Sequence, residues 1–295
     1  MKSIFSSILR KGLAGSLTLF TLFGSASYVG AQTQGQAPAG AAPAEVTSTS
    51  GPKVLVFVKT RGYHHTSIPA GVAAITKLGV ENGFEVDATE DSLDFSESNL
   101  KQYSAVIFLS TTMNVLGDAE QGAFENYIRS GGGYVGIHAA ADTEYDWPWY
   151  GKLAGAWFLS HPRQQKAIVQ VVDKKHPSTS FLPDKWERFD EWYSYKNINP
   201  DLKVLAKLDE TSYEGGKNGD NHPIAWYHDF EGGRAFYTGG GHTKESYKEP
   251  LFLRHLLGGI QYAMGKELSP VKAQGKALGK EMKDNKPKKT VNSKQ

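Results

Sequence analysis

Apolar and polar positions follow one rhythm in the first half of this chain and another in the second. Residues 53–59, Lys-Val-Leu-Val-Phe-Val-Lys, are a short β-branched apolar run and predict a buried strand. A helical period follows over residues 68–82 and breaks at Gly83. Residues 84–88 predict a second strand, 91–103 a stretch with a short helix, and 104–110 another buried strand. Residues 118–130 read as a helix, with Asp118 as its expected N-cap and the run Gly131-Gly132-Gly133 as its stop. Residues 134–138, Tyr-Val-Gly-Ile-His, predict the next strand.

This βαβαβαβ alternation predicts a mostly parallel central sheet flanked by helices, an α/β fold of the flavodoxin-like kind. Five further strands are predicted at 167–173, 186–195, 203–209, 223–230 and 234–239, with Glu231-Gly232-Gly233 as a tight turn and a last helix over 250–264. These strands follow one another without helices and should extend the sheet partly antiparallel. In open sheets of this kind, ligands bind beyond the carboxyl ends of the parallel strands. That rule directs attention to residues 60–66, 110–114 and 138–142.

Both ends of the chain depart from this pattern. Residues 1–31 read as a secretory signal: Lys2, Arg10 and Lys11 precede the apolar run 13–23, and Val29-Gly30-Ala31 offers a cleavage site before Gln32. That run is too short to span a membrane, so no transmembrane segment is expected in the mature protein. Residues 32–52, rich in Ala, Gly, Pro, Ser and Thr, predict a flexible linker, and 266–295 a lysine-rich disordered tail. The expected folded domain is therefore 53–265, and the expected location is the periplasm or the extracellular space.

Charge changes the picture once it is divided this way. The chain as a whole is +2. Of its 33 basic residues, three lie in 1–31 and nine in 266–295, where three of the 31 acids also lie. Residues 32–265 keep 21 basic and 28 acidic residues, a net −7 that offers nothing to nucleic acid. The absence of cysteine excludes disulfides, thiolate metal sites and a cysteine nucleophile.

Histidine is the residue type that carries candidate chemistry. All nine histidines fall inside the expected domain, and His64, His65, His138, His161, His222 and His242 lie at strand ends or in loops. His138 closes an apolar strand and precedes Ala139-Ala140-Ala141, the setting of a strand-to-helix elbow that presents its side chain above the sheet. An imidazole there can bind a metal or transfer protons. Gly239-Gly240-Gly241-His242 brings another histidine to the same edge. In Asp190-Glu191-Trp192-Tyr193, carboxylates sit within an aromatic strand and need a partner, a metal or solvent. Alternation would put Glu191 and Tyr193 on one face and Asp190 and Trp192 on the other. Trp147 and Trp149, in an aromatic loop–helix stretch, suit either core packing or stacking on a sugar ring. They are grouped with Asp142 and His161 as candidate substrate contacts.

Taken in order, Arg61-Gly-Tyr-His-His-Thr-Ser67, the glycine-led strand ending His138-Ala139, His176-Pro177, Asp190-Glu-Trp-Tyr193, His222-Pro-Ile-Ala-Trp226 and the segment from Gly233 to His242 resemble the ThuA-like (trehalose utilisation) family. The resemblance spans residues 53–266 and implies a class I glutamine amidotransferase-like fold. In amidotransferase relatives the elbow carries a cysteine; here it carries His138, so glutamine hydrolysis through a thiolate is excluded. The resemblance implies a role in sugar metabolism, on oxidised (3-keto) glycosides, and a polar pocket at His64, His138, Glu191, Tyr193 and His242. His138 or His242 would be the base, and Tyr193 or His64 the acid. His138, His242 and Glu191 are the candidate ligands of a divalent ion, zinc or another first-row metal. Two alternatives stay open at this point: a non-catalytic carbohydrate-binding protein, and a metal-dependent hydrolase of another substrate.

Overall fold

The computed structural model describes residues 51–265. The signal, the tail and nearly all of the linker expected from the sequence lie outside the described residues. Eleven strands and five α-helices make up the domain. The first half runs β1 (Lys53–Phe57), α1 (Ile68–Asn82), β2 (Glu85–Thr89), α2 (Glu97–Leu100), β3 (Ala105–Leu109), α3 (Asp118–Arg129) and β4 (Gly133–Ile137). The second half runs α4 (Pro148–Ala154), β5 (Trp157–Ser160), β6 (Gln165–Val171), β7 (Lys185–Asp190), β8 (Ser194–Lys196), β9 (Lys203–Asp209), β10 (Pro223–Phe230), β11 (Gly233–Thr238) and α5 (Pro250–Ala263).

Nine strands form one sheet in the order β2-β1-β3-β4-β11-β10-β9-β6-β7. The five from β2 to β11 are parallel to one another, and the rest pair antiparallel. β5 and β8 form a separate antiparallel pair. The burial patterns follow from this arrangement. All five residues of β3 and of β4 are buried, as expected for parallel strands covered on both faces. β7, at the sheet edge, alternates strictly between exposed and buried positions. Phe57, Phe95, Phe108, Phe124, Tyr134 and Tyr150 pack edge-to-face or tilted against one another as the core of the parallel half.

Three local expectations need correction. The strand expected over 186–195 is two strands, β7 and β8, separated by Glu191-Trp192-Tyr193. All residues from Asp190 to Tyr195 are buried, so strand alternation does not sort Glu191 from Asp190. The N-cap of α3 is Gly117 rather than Asp118, and Glu120 accepts its backbone N–H at 3.1 Å. β5 was not foreseen, because its aromatic residues carry no period of their own. The turn at Glu231-Gly232 is as expected, a two-residue hairpin with positive φ (47° and 98°) at both residues, which suits glycine at the second.

The strand order reverses beside β1, with β2 on one side and β3 on the other, a switch point of the kind beyond whose carboxyl edge open sheets bind ligands. The antiparallel half curls back over that edge. Arg188 of β7 reaches the backbone beyond β11: a Cβ added at Gly240 would lie 2.5 Å from its Nη1. This curl brings the end of the edge strand to the ends of the central ones.

Candidate metal centre

Four side chains from four separate chain segments meet at this edge. His65 lies in the loop from β1 to α1, His138 follows β4, Glu191 follows β7, and His242 follows β11. Each offers one ligand atom, and the four atoms lie within 4.8 Å of one another. His65, His138 and Glu191 are buried, and His242 is nearly so. His138 has φ +51°, the left-handed region that a strand-to-turn elbow demands, and the 3-10 turn His138–Asp142 continues from it.

The hydrogen bonds fix the rings. His138 Nδ1 donates to the Gly239 carbonyl at 2.9 Å, which leaves Nε2 facing the cluster. His242 Nδ1 lies 3.1 Å from that Nε2 and 3.0 Å from Glu191 Oε2, and the Nε2–Oε2 separation is 3.5 Å. A tetrahedral ion with bonds of about 2.0–2.1 Å places neighbouring ligand atoms about 3.3 Å apart. The three donor atoms therefore already form one face of such a tetrahedron. The outer nitrogen of His242 meets the Gln164 amide at 2.7 Å. With the amide nitrogen inward, His242 carries its proton on Nδ1; with the amide reversed, Nδ1 is free as a lone pair.

His65 completes the set. Its ring lies edge-on to those of His138 (4.8 Å) and His242 (5.1 Å), and its Nδ1 is buried without a hydrogen-bond partner. Burial, then the neighbouring imidazoles of His138 and His242, push its pKa down to about 2, so it is neutral and keeps a lone pair. At Glu191 burial works to raise the carboxyl. The hydrogen bonds and charges of His138 and His242 outweigh it and hold the group well below the usual carboxylate range. Three imidazoles and one carboxylate are a donor set suited to zinc or another first-row divalent ion.

Around the cluster, the Tyr193 ring lies 4.3 Å from that of His138, and burial raises its hydroxyl pKa far above the ordinary value. His161, an exposed side chain, has its Nδ1 3.3 Å from the other oxygen of Glu191. Asp142 accepts from the Tyr145 hydroxyl at 2.5 Å, and burial raises its carboxyl.

Of the candidates read from the sequence, His138, His242, Glu191, Tyr193 and His161 come together here, and Asp142 stands nearby. His64 does not join them: it is exposed, with its Nδ1 3.1 Å from Thr60 Oγ1. Its neighbour His65 turns inward instead, its carbonyl accepting from Ile68 as the chain enters α1. Adjacent histidines in a loop give no period from which to choose between them. Trp147 and Trp149 also lie elsewhere. Their indole N–H groups donate to Glu125 on α3 (3.0 Å) and to Glu231 in the β10–β11 turn (2.9 Å), at the opposite end of the strands. Trp149 packs there against Phe124 and Phe230.

The model of the family described as ThuA, trehalose utilisation, matches residues 53–263. Among solved structures, the fold is similar to a ThuA-like protein from Bacteroides uniformis, with a TM-score of 0.64, 27% identity and coverage of 78% of this chain and 98% of that one. It is also similar to a ThuA-like protein from Parabacteroides merdae, with a TM-score of 0.62, 20% identity and coverage of 74% and 92%. No curated protein matches.

Proposed function

This chain belongs to the ThuA (trehalose utilisation) family, and on that premise we propose that it is an exported enzyme cleaving oxidised, 3-keto glycosides at the histidine–glutamate cluster. In this reading His65, His138, Glu191 and His242 hold a first-row divalent ion. The observation that carries it is the triangle of 3.0, 3.1 and 3.5 Å between His138 Nε2, His242 Nδ1 and Glu191 Oε2, with the unpartnered His65 beside it. Bound there, the ion would supply Lewis-acid polarisation of the substrate's keto oxygen.

A 3-keto group acidifies the C–H bond at C2. Removal of that proton lets the C1–oxygen bond break, the departing oxygen takes up a proton, and water adds across C1 and C2. The net result is hydrolysis. Such a route needs a base, a proton donor and stabilisation of the enolate oxygen. With four side chains committed to the ion, His161 and Tyr193 are assigned the proton transfers, on the strength of their contacts with Glu191 and His138. This revises the roles expected from sequence for His138, His242 and His64.

Turnover tests the reading directly. The protein should cleave 3-keto-trehalose, leave trehalose intact, and lose activity on treatment with a chelator. Cleavage of neither sugar overturns the enzyme; chelator-resistant cleavage overturns the ion. Export rests on the pattern of residues 1–31. N-terminal mapping of protein from the periplasm or medium should begin at Gln32, and intact Met1 on cytoplasmic protein would sink it. Among the described residues, no helix is long and apolar enough to cross a membrane.

A further inference from the structure

Asp190 has no exposed surface, yet its carboxylate gathers five donors. Oδ1 accepts from the backbone N–H of Glu191 at 3.0 Å and of His242 at 3.1 Å. Oδ2 accepts from Gly241 N–H at 2.8 Å and the Ser246 hydroxyl at 2.9 Å, and it faces Arg188 Nη2 at 3.4 Å. Arg188 is itself fixed, between the rings of Trp186 (4.6 Å) and Phe252 (4.4 Å), with its Nε donating to Glu249 at 2.8 Å.

One carboxylate oxygen therefore bonds the main chain of two cluster members. Sheet pairing alone does not relate them. Glu191 follows the edge strand β7 and His242 follows β11, with β10, β9 and β6 lying between. Every intervening pair twists by tens of degrees with wide scatter, so register cannot set a separation of 3.0 Å between their side chains. The backbone beyond β11 is shaped for close approach. Gly241 takes φ +111°, and a Cβ at Gly240 would stand 3.3 Å from Asp190 Oδ2.

We infer that Asp190 is a positioning residue: it seats Glu191 against His242 across the seam where the sheet curls back, and so sets the cluster's affinity for its ion. The second half of that statement rests on the reading above. An acid serving only to neutralise Arg188 would have no reason to bond both ligand-bearing backbones. A carboxylate behind the ligands is the kind of outer partner whose loss costs metal sites about 10–100-fold in affinity.

The experiment uses the full chain. Asp190→Asn keeps the side chain's shape but turns amide hydrogens toward backbone donors. Titration with Zn²⁺ should show affinity lowered about 10–100-fold, and the visible bands of the Co²⁺-loaded protein should change in shape. A folded Asp190→Asn with wild-type affinity and spectrum overturns the inference. If that variant does not fold, Ser246→Ala removes one donor from Asp190 and should lower Zn²⁺ affinity about three- to tenfold without altering the far-UV spectrum; unchanged affinity overturns it equally. If the wild-type protein binds no ion, the metal reading fails, and the seating of the ligands is read from ¹⁵N histidine spectra of metal-free protein. The His242 ring signals should then move in either variant while those of distant His228 stay; unmoved His242 signals refute the positioning role.

Discussion

Loading the cluster should stabilise the fold by an amount that can be worked out in advance. His138 Nε2, His242 Nδ1 and Glu191 Oε2 stand 3.0–3.5 Å apart, and His65 is neutral. Little rearrangement opposes binding, and the unfolded chain brings no such set together. An ion at a hundredfold excess over its dissociation constant then adds about 2.7 kcal/mol to stability. A domain of this size gains about 2–4 °C per kcal/mol, so the melting temperature should rise by about 5–10 °C. Differential scanning fluorimetry of chelator-stripped protein with Zn²⁺, Co²⁺, Mn²⁺ and Ni²⁺ in turn measures it. His138→Ala, His242→Ala and Glu191→Gln should each abolish the rise, whereas His64→Ala should keep it. No rise with any ion, or a rise that survives in a His138→Ala/His242→Ala double variant, refutes the reasoning.

Three further outcomes follow from the geometry. Trp149→Ala should cost about 2 kcal/mol of stability through lost packing on Phe124 and Phe230 while leaving KM for the keto-glycoside unchanged; a raised KM would restore the tryptophan to the site. Gly240→Ala pushes a methyl to 2.5 Å from Arg188 Nη1 and should cost about 1–3 kcal/mol in urea unfolding; a neutral result would show that Arg188 moves freely. Burial pushes His255 down to about pKa 4, while the unfolded chain takes up that proton near 6.5, so stability is complete above about pH 6.5 and falls as pH drops toward 4. Between pH 7 and pH 5 this one residue should account for about 2 kcal/mol. His255→Gln should flatten the decline by that amount in urea titrations, and an unchanged slope would exclude His255 as its source.

Much of the parallel half was readable from period alone. The bounds of α1 and, in the antiparallel half, of β9 and β10 agree with the expected 68–82, 203–209 and 223–230; β1 and β3 fall within the predicted runs, and β4 (Gly133–Ile137) begins and ends one residue before the expected 134–138. Buried parallel strands and amphipathic helices write their periods locally, so a single sequence suffices. The place of His138 at a strand-end elbow was legible the same way, because an elbow is a local event. His242 was legible from the glycine run before it. The choice of His65 over His64 was not legible, since it depends on which of two adjacent loop residues the entry into α1 turns inward.

By itself, then, the sequence determined the α/β class, the missing thiol and the histidines at strand ends. Tertiary structure alone decided which of them meet. Glu191 lies next to a strand at the far edge of the sheet, and its approach to His138 depends on the curl of four antiparallel strands and the bonds of Asp190. It also removed Trp147 and Trp149 from the pocket, because α4 packs toward the opposite end of the strands. The physical reason is the same in each case. A period reports which face of an element is buried, whereas a site forms where distant elements are brought together by the accumulated twist of the sheet between them.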